Sequence, residues 1–200
     1  MHLYVTRPSP YARKARAAVR ELGLEPRVEE LLLEPRLPWM AKPDLDPLNP
    51  LGKVPALITD AGALIVDSPV IVAFLDDDAG GGRLVPSGPQ RWRSLSLEAL
   101  ADGIMDAGVV LRLQSLKPEE RRDGDDIDAH RAKIARTLDH IEADPAWLEG
   151  GFDVGQLGLA CALEWLAFRA LIPGLGPRPR LSAWLASVAD RPALAATRPS

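Results

Sequence analysis

Cysteine is almost absent from this chain of 200 residues. The single one, Cys161, excludes an internal disulfide framework and fits a reducing cytoplasm, where we expect the protein to reside. Long apolar runs are missing as well. Nothing approaches the ~18 consecutive apolar residues that span a bilayer, so no membrane partner is expected. The start of the chain lacks a charged-then-apolar leader pattern, because polar and basic residues interrupt it from Thr6 onward. A basic excess is lacking too: 24 Lys and Arg against 28 Asp and Glu leave a net charge of -4, which argues against nucleic acid as a partner. The histidines His2, His130 and His140 make no metal-ligand spacing with Cys161, so no metal is expected. A P-loop, a Gly-x-Gly-x-x-Gly turn and internal repeats are all absent. What remains is an ordinary globular composition, 46% hydrophobic and 26% charged, long enough for one large domain or two small ones.

Ser9-Pro10-Tyr11 is the most informative stretch that is there. It separates a short strand-like run, His2–Thr6, from a basic amphipathic helix over about Pro10–Leu22. Ser9 is the expected N-cap and Pro10 the first helical residue, where a missing N–H costs nothing. This places a hydroxyl at the positive end of a helix, where a thiolate, phosphate or carboxylate is stabilised. Tyr11, Ala15, Ala18 and Leu22 share one helix face, Arg13, Arg16 and Arg20 lie on another, and Gly23 reads as the helix stop.

Further strand-like runs are Arg27–Leu32, Ala56–Thr59 and Leu64–Val66, with Asp60-Ala61-Gly62 as a hairpin turn and a helix from Ser68-Pro69 to about Asp77. The expected order is strand, helix, strand, short helix, strand, strand, helix: a small mixed sheet with helices packed on it. Asp76-Asp77-Asp78 lies where a helix C-terminus disfavours negative charge, and reads as a fraying end. Composition then changes at Ala79-Gly80-Gly81-Gly82, and residues 79–89 read as a linker. Everything later looks helical, with apolar faces formed by Leu97, Leu100, Ile104, Gly108 and Leu111, by Ile127, Ile134, Leu138 and Ile141, and by Leu157, Cys161, Trp165 and Phe168. A shorter helix is expected over Leu181–Ala189, so the second half reads as an all-α bundle. On this face Cys161 reads as an inert core thiol.

This organisation, with Ser9-Pro10-Tyr11 and Arg13-Lys14, Asn49-Pro50-Leu51-Gly52-Lys53-Val54-Pro55, Asp67-Ser68-Pro69, Arg83-Leu84-Val85-Pro86 and Ala101-Asp102-Gly103-Ile104-Met105-Asp106 in order, resembles the cytosolic glutathione S-transferases, most closely their bacterial serine-type branch. The resemblance covers essentially the whole chain. It implies an α/β thioredoxin-like, glutathione-binding domain over residues 1–78, a linker over 79–89, and an all-α helical domain over 90–200 that carries the electrophile pocket and dimer contacts. It also implies glutathione as cosubstrate, a small electrophile as second substrate, and a homodimer.

In such proteins the Ser9 hydroxyl would donate to the glutathione sulfur and lower its pKa from about 8.5. The same residue also reads as a plain helix cap, and Thr6 is the alternative hydroxyl. The Val54–Pro55 bond would be cis, exposing the Val54 backbone to pair with glutathione like a short added strand. Lys53 would meet the glycyl carboxylate. Ser68 would cap the following helix and bind the γ-glutamyl carboxylate, and Asp67 would face its ammonium. Tyr11 would wall the electrophile pocket or serve as the first core residue of its helix. Trp39 would flank the glutathione glycine or be a packing aromatic. Trp39, Met105 and Arg112, with Tyr11, would line the second-substrate pocket. Asp102 and Asp106, four apart on one face, would meet a glutathione ammonium across the dimer, pair with Arg112, or form a solvated acidic face.

Two departures stand out. Where the family commonly has Ser/Thr-x-x-Asp, this chain has Asp153-Val154-Gly155-Gln156, in which Asp153 caps and Gln156 could complete a capping box. No cysteine stands in the first turn, which argues against mixed-disulfide chemistry. Three functions compete: glutathione conjugation to a small apolar electrophile, a glutathione-binding carrier or interaction protein, and a glutathione-dependent disulfide reductase or peroxidase.

Overall fold

The first strand alternates as a half-buried strand must: in β1 (His2–Val5), Leu3 and Val5 are buried and His2 is exposed. The computed structural model describes residues 1–199. β1 runs parallel to β2 (Glu29–Leu32), with His2 opposite Glu29, and antiparallel to β3 (Ala56–Ile58), with His2 opposite Ile58. β4 (Leu64–Ile65) extends β3 antiparallel, giving the order β2-β1-β3-β4. The parallel pair needs a crossover, and α1 (Pro10–Glu21) supplies it. This is the thioredoxin-like arrangement that the resemblance implies. The Asp60-Ala61-Gly62 turn closes β3 on β4 as expected, with Thr59 Oγ1 accepting from the Ala63 N–H at 3.0 Å.

The short helix expected between β2 and β3 does not form. Residues 42–49 make isolated turns, such as the Asn49 N–H to the Leu45 carbonyl at 2.8 Å. Pro43, Pro47 and Pro50 recur too often for a continuous helical ladder, because each removes one N–H donor.

α1 ends as read, with Gly23 at φ +70 and the Leu24 N–H closing onto the Val19 carbonyl at 2.8 Å. Its three arginines, on one face by spacing, find different partners. Arg16 and Arg20 both clamp Glu30 on β2. Burial works against the Glu30 charge, but the two guanidinium hydrogen bonds outweigh it and hold the carboxyl below its usual range. Arg13 is 1% exposed and donates to the carbonyls of Thr197 at 2.9 Å and Leu194 at 3.2 Å. Lys14 is buried beside it.

α2 (Ser68–Asp78) follows β4. Its acidic end is not frayed. The Asp76 carboxylate is buried and accepts the N–H groups of Gly82, Arg83, Leu84 and Val85 at 2.9, 3.1, 2.7 and 3.2 Å. Arg83 is thereby brought to donate to the Leu22 and Glu21 carbonyls at the end of α1, at 2.8 and 2.7 Å.

The chain divides into two compact units, Met1–Arg91 with the segment from Arg191 onward, and Trp92–Asp190. This differs from the expected limits at both ends of the helical half. Asp76 ties down the first part of the 79–89 segment. α7 (Pro192–Ala195) packs on α1, and Arg191 forms a two-point ion pair with Glu21 at 3.0 and 2.8 Å.

The second unit is all helical: most of α3 (Gln90–Ser115), α4 (Gly124–Ala143), α5 (Val154–Phe168) and α6 (Pro179–Val188). Ile134, Leu138 and Ile141 are buried as expected, whereas Ile127 is half-buried near the start of α4. Leu157, Cys161 and Trp165 are buried on α5, but Phe168, its last residue, is exposed, with the Arg169 guanidinium 4.7 Å above its ring. Asp153 caps α5 by accepting the Gln156 N–H at 3.1 Å. Gln156 does not complete a capping box; its amide donates to the Glu149 carbonyl at 3.1 Å. Among the described residues no helix is long and apolar enough to cross a membrane.

α3 and α5 touch through glycines. A Cβ on Gly155 would lie 2.5 Å from the Ser94 carbonyl oxygen and 2.7 Å from the Leu97 Cβ. The first obstacle is backbone and cannot rotate aside. Gly155→Ala is therefore expected to cost about 1–3 kcal/mol, read as a lower urea midpoint at unchanged slope. Unchanged stability would show that the two helices can separate there without cost.

Candidate functional site

An open cleft lies in the first unit, lined by Tyr11, Asn49, Leu51, Lys53, Val54, Pro55, Val66, Asp67 and Ser68. Three segments build it. α1 brings Tyr11, half-buried in the cleft wall rather than withdrawn into the core. The 49–55 loop brings Lys53, Val54 and Pro55, and the start of α2 brings Asp67 and Ser68.

Asn49 shapes the loop. It is 1% exposed, its amide donates to the Lys53 carbonyl at 2.8 Å, and its oxygen accepts the Leu51 N–H at 3.1 Å. The Val54–Pro55 bond is cis, as the resemblance implies, and the Val66–Asp67 bond is cis as well. Among the described residues the Val54 N–H and carbonyl have no internal backbone partner. A donor and an acceptor are thus left at the cleft wall.

The α2 start differs from the expected cap. Ser68 is the first helical residue rather than the N-cap, and Pro69 the second. Asp67 is the N-cap residue, and its side chain makes no capping hydrogen bond. The Ser68 and Val70 N–H groups of the first turn have no helical acceptor, so this helix end favours an anion. Lys53 and Asp67 add one charge of each sign, and both are exposed.

Ser9 caps α1, accepting the Ala12 N–H at 3.2 Å in an extended conformation. It is half-exposed, two residues before Tyr11, and is not itself among the lining residues. Thr6 accepts the Ser9 N–H through its carbonyl at 3.4 Å. Trp39 is 70% exposed and does not line the cleft. Asp102, Met105, Asp106 and Arg112 lie on α3 in the other unit. Met105, expected as an adaptable pocket wall, is completely buried there. Arg112 is half-buried and donates to Ser115 Oγ at 3.3 Å, Asp102 is half-buried and Asp106 is exposed. Among the described residues no group of three or more His, Cys, Asp or Glu side chains could hold a metal ion.

Asn49, Leu51 and Val66 line the cleft although the sequence reading assigned them no role. The first two lie inside the Asn49–Pro55 motif. Val66 carried no chemical signal, since its position at the lip follows only from how β4 leads into α2.

The chain is similar to known proteins along its length. Residues 8–78 match the model of the glutathione S-transferase N-terminal domain and residues 124–187 that of the C-terminal domain. The GST-like protein YibF of Escherichia coli K12 is 33% identical over 204 residues, spanning 100% of this chain and 98% of that protein. A glutathione transferase family member from Pseudomonas fluorescens Pf-5, solved with bound glutathione, is 38% identical with a TM-score of 0.93, covering 100% of this chain and 98% of that one. A second structure from that organism, with bound S-(propanoic acid)-glutathione, is 39% identical with a TM-score of 0.88 and full coverage of both chains, 100% each. With both halves matched and relatives aligned from end to end, the chain belongs to the glutathione S-transferase family.

Proposed function

We propose that this protein is a glutathione transferase that binds glutathione in the Tyr11–Ser68 cleft and activates its sulfur for attack on a small electrophile. The observation that carries the reading is the pairing of an open Val54 backbone edge with an uncapped α2 N-terminus in one cleft. Glutathione is an extended peptide with charged ends, and each part of the wall suits one part of it. Val54 pairs with the cysteinyl backbone, the first turn of α2 with Ser68 takes the γ-glutamyl carboxylate, Asp67 takes its ammonium, and Lys53 meets the glycyl carboxylate. Ser9 is the hydroxyl that donates to the sulfur, so the bound cosubstrate rather than the protein is the nucleophile. Tyr11 borders the space for the electrophile.

Conjugation is favoured over carriage or reduction because the Pseudomonas relative holds glutathione with a substituent on its sulfur, the form that a conjugation leaves. The proposal includes a homodimer, supported by the exposed Trp92 on α3, and light scattering should give twice the 21.6 kDa chain mass. The site itself is tested by titrating glutathione at neutral pH while following thiolate ultraviolet absorbance. A saturable rise supports the transferase, binding without the rise favours the carrier, and no binding overturns the assignment of the cleft.

A further inference from the structure

The glycine contacts set the direction of α3 against α5. Leu97 lies on Gly155, and eleven residues further along each helix Gly108 lies on Leu166, so the two helices run parallel and in step. A Cβ on Gly108 would also meet Trp165 at 2.6 Å. One helical turn beyond this contact stand Arg112 on α3 and Arg169 at the C-cap of α5.

Neither guanidinium has a carboxylate partner among the described residues. Arg112 donates only to Ser115 Oγ, and the Arg169 Nε is buried with no hydrogen-bond acceptor. Burial, and then the charge of Arg112, hold Arg169 below the usual guanidinium range. The two helix C-termini add only partial negative charge beside the two guanidiniums. Phe168 stands exposed beside them, its ring under the Arg169 guanidinium.

We propose that Arg112 and Arg169 form a binding site for one small oxyanion, a carboxylate, sulfonate or phosphate, held between the two guanidiniums. The planar donor fork fits such anions at two points, and the Phe168 ring offers an apolar wall to an anion with an organic body. The site lies wholly in the helical unit and does not rest on the glutathione reading.

The test is thermal unfolding of the full chain with inorganic phosphate or benzoate replacing chloride at fixed ionic strength. The wild type should show a saturable rise of about 3–5 °C at ten times the dissociation constant. Arg169→Gln and Arg112→Gln should both lose it. In chloride buffer without phosphate or benzoate, Arg169→Gln should melt no lower than the wild type, because the repulsion is gone, and its glutathione binding should be unchanged. A response to benzoate alone assigns the site to organic carboxylates, and a response to phosphate alone to free phosphate. A linear rise that is equal in all three proteins, or an Arg169→Gln that melts several degrees lower in that chloride buffer, overturns the proposal.

Discussion

Ser9→Ala is expected to abolish the thiolate absorbance of bound glutathione and to lower kcat/KM about 100-fold near pH 6.5, with glutathione affinity within about threefold of wild type. The hydroxyl accepts the Ala12 N–H, which engages an oxygen lone pair and leaves its hydrogen to donate. A hydrogen bond to an ionised partner contributes about 1.5–3 kcal/mol, and about 2.7 kcal/mol is a hundredfold. The variant also loses a helix cap worth ~1 kcal/mol of stability, which must be kept apart from the chemistry. The pH profile does this. Without its donor the bound thiol returns toward about 8.5, so the activity deficit should be largest below neutrality and shrink as pH rises past 8. A capping role alone predicts a small deficit that is the same at every pH. Ser9→Thr, which keeps both the hydroxyl and the cap, should retain most of the activity. If Ser9→Ala turns over normally at pH 6.5, Ser9 is a cap and nothing more.

Features decided within a few residues were legible in the sequence. Ser9 before Pro10, Gly23 after α1, the Asp60–Gly62 turn and the Ser68-Pro69 helix start all rest on local backbone rules, and each is found close to where it is expected. Features decided by distant partners were not. Arg13 looks like one more solvated arginine until the carbonyls of Leu194 and Thr197, more than 180 positions away, close over it. Phe168 keeps the spacing of the apolar face but falls at the end of α5, where the neighbouring helices no longer cover it. The site shows the same division. Lys53, Val54, Pro55, Asp67 and Ser68 come from motifs and meet in one cleft, whereas Asn49 shows its part only once its two hydrogen bonds to the loop are seen.

Asp76 is where this division has the largest consequence for stability. In sequence it is the first of three aspartates at an unfavourable helix end. In the fold its carboxylate is the common acceptor for four consecutive backbone N–H groups, of which those of Leu84 and Val85 are in buried bonds. A buried donor left without an acceptor costs about 1–3 kcal/mol, so Asp76→Ala should lose about 3–5 kcal/mol in urea unfolding. Asp76→Asn should be nearly as harmful, because its NH2 group faces N–H donors where an oxygen stood. Asp77→Ala, at an exposed neighbour, should fall within about 0.5 kcal/mol of wild type. Amide hydrogen exchange separates this arrangement from a general helix-end effect. The Leu84 and Val85 amides should exchange faster in Asp76→Ala while those of α2 before Leu75 keep their relative protection. The loss should also reach α1, because Arg83 would no longer be held over the Glu21 and Leu22 carbonyls, and the end of α1 should fray first. Equal stability of Asp76→Ala and Asp77→Ala would mean that water replaces the carboxylate at no cost and that the 82–85 segment is held by its apolar side chains alone.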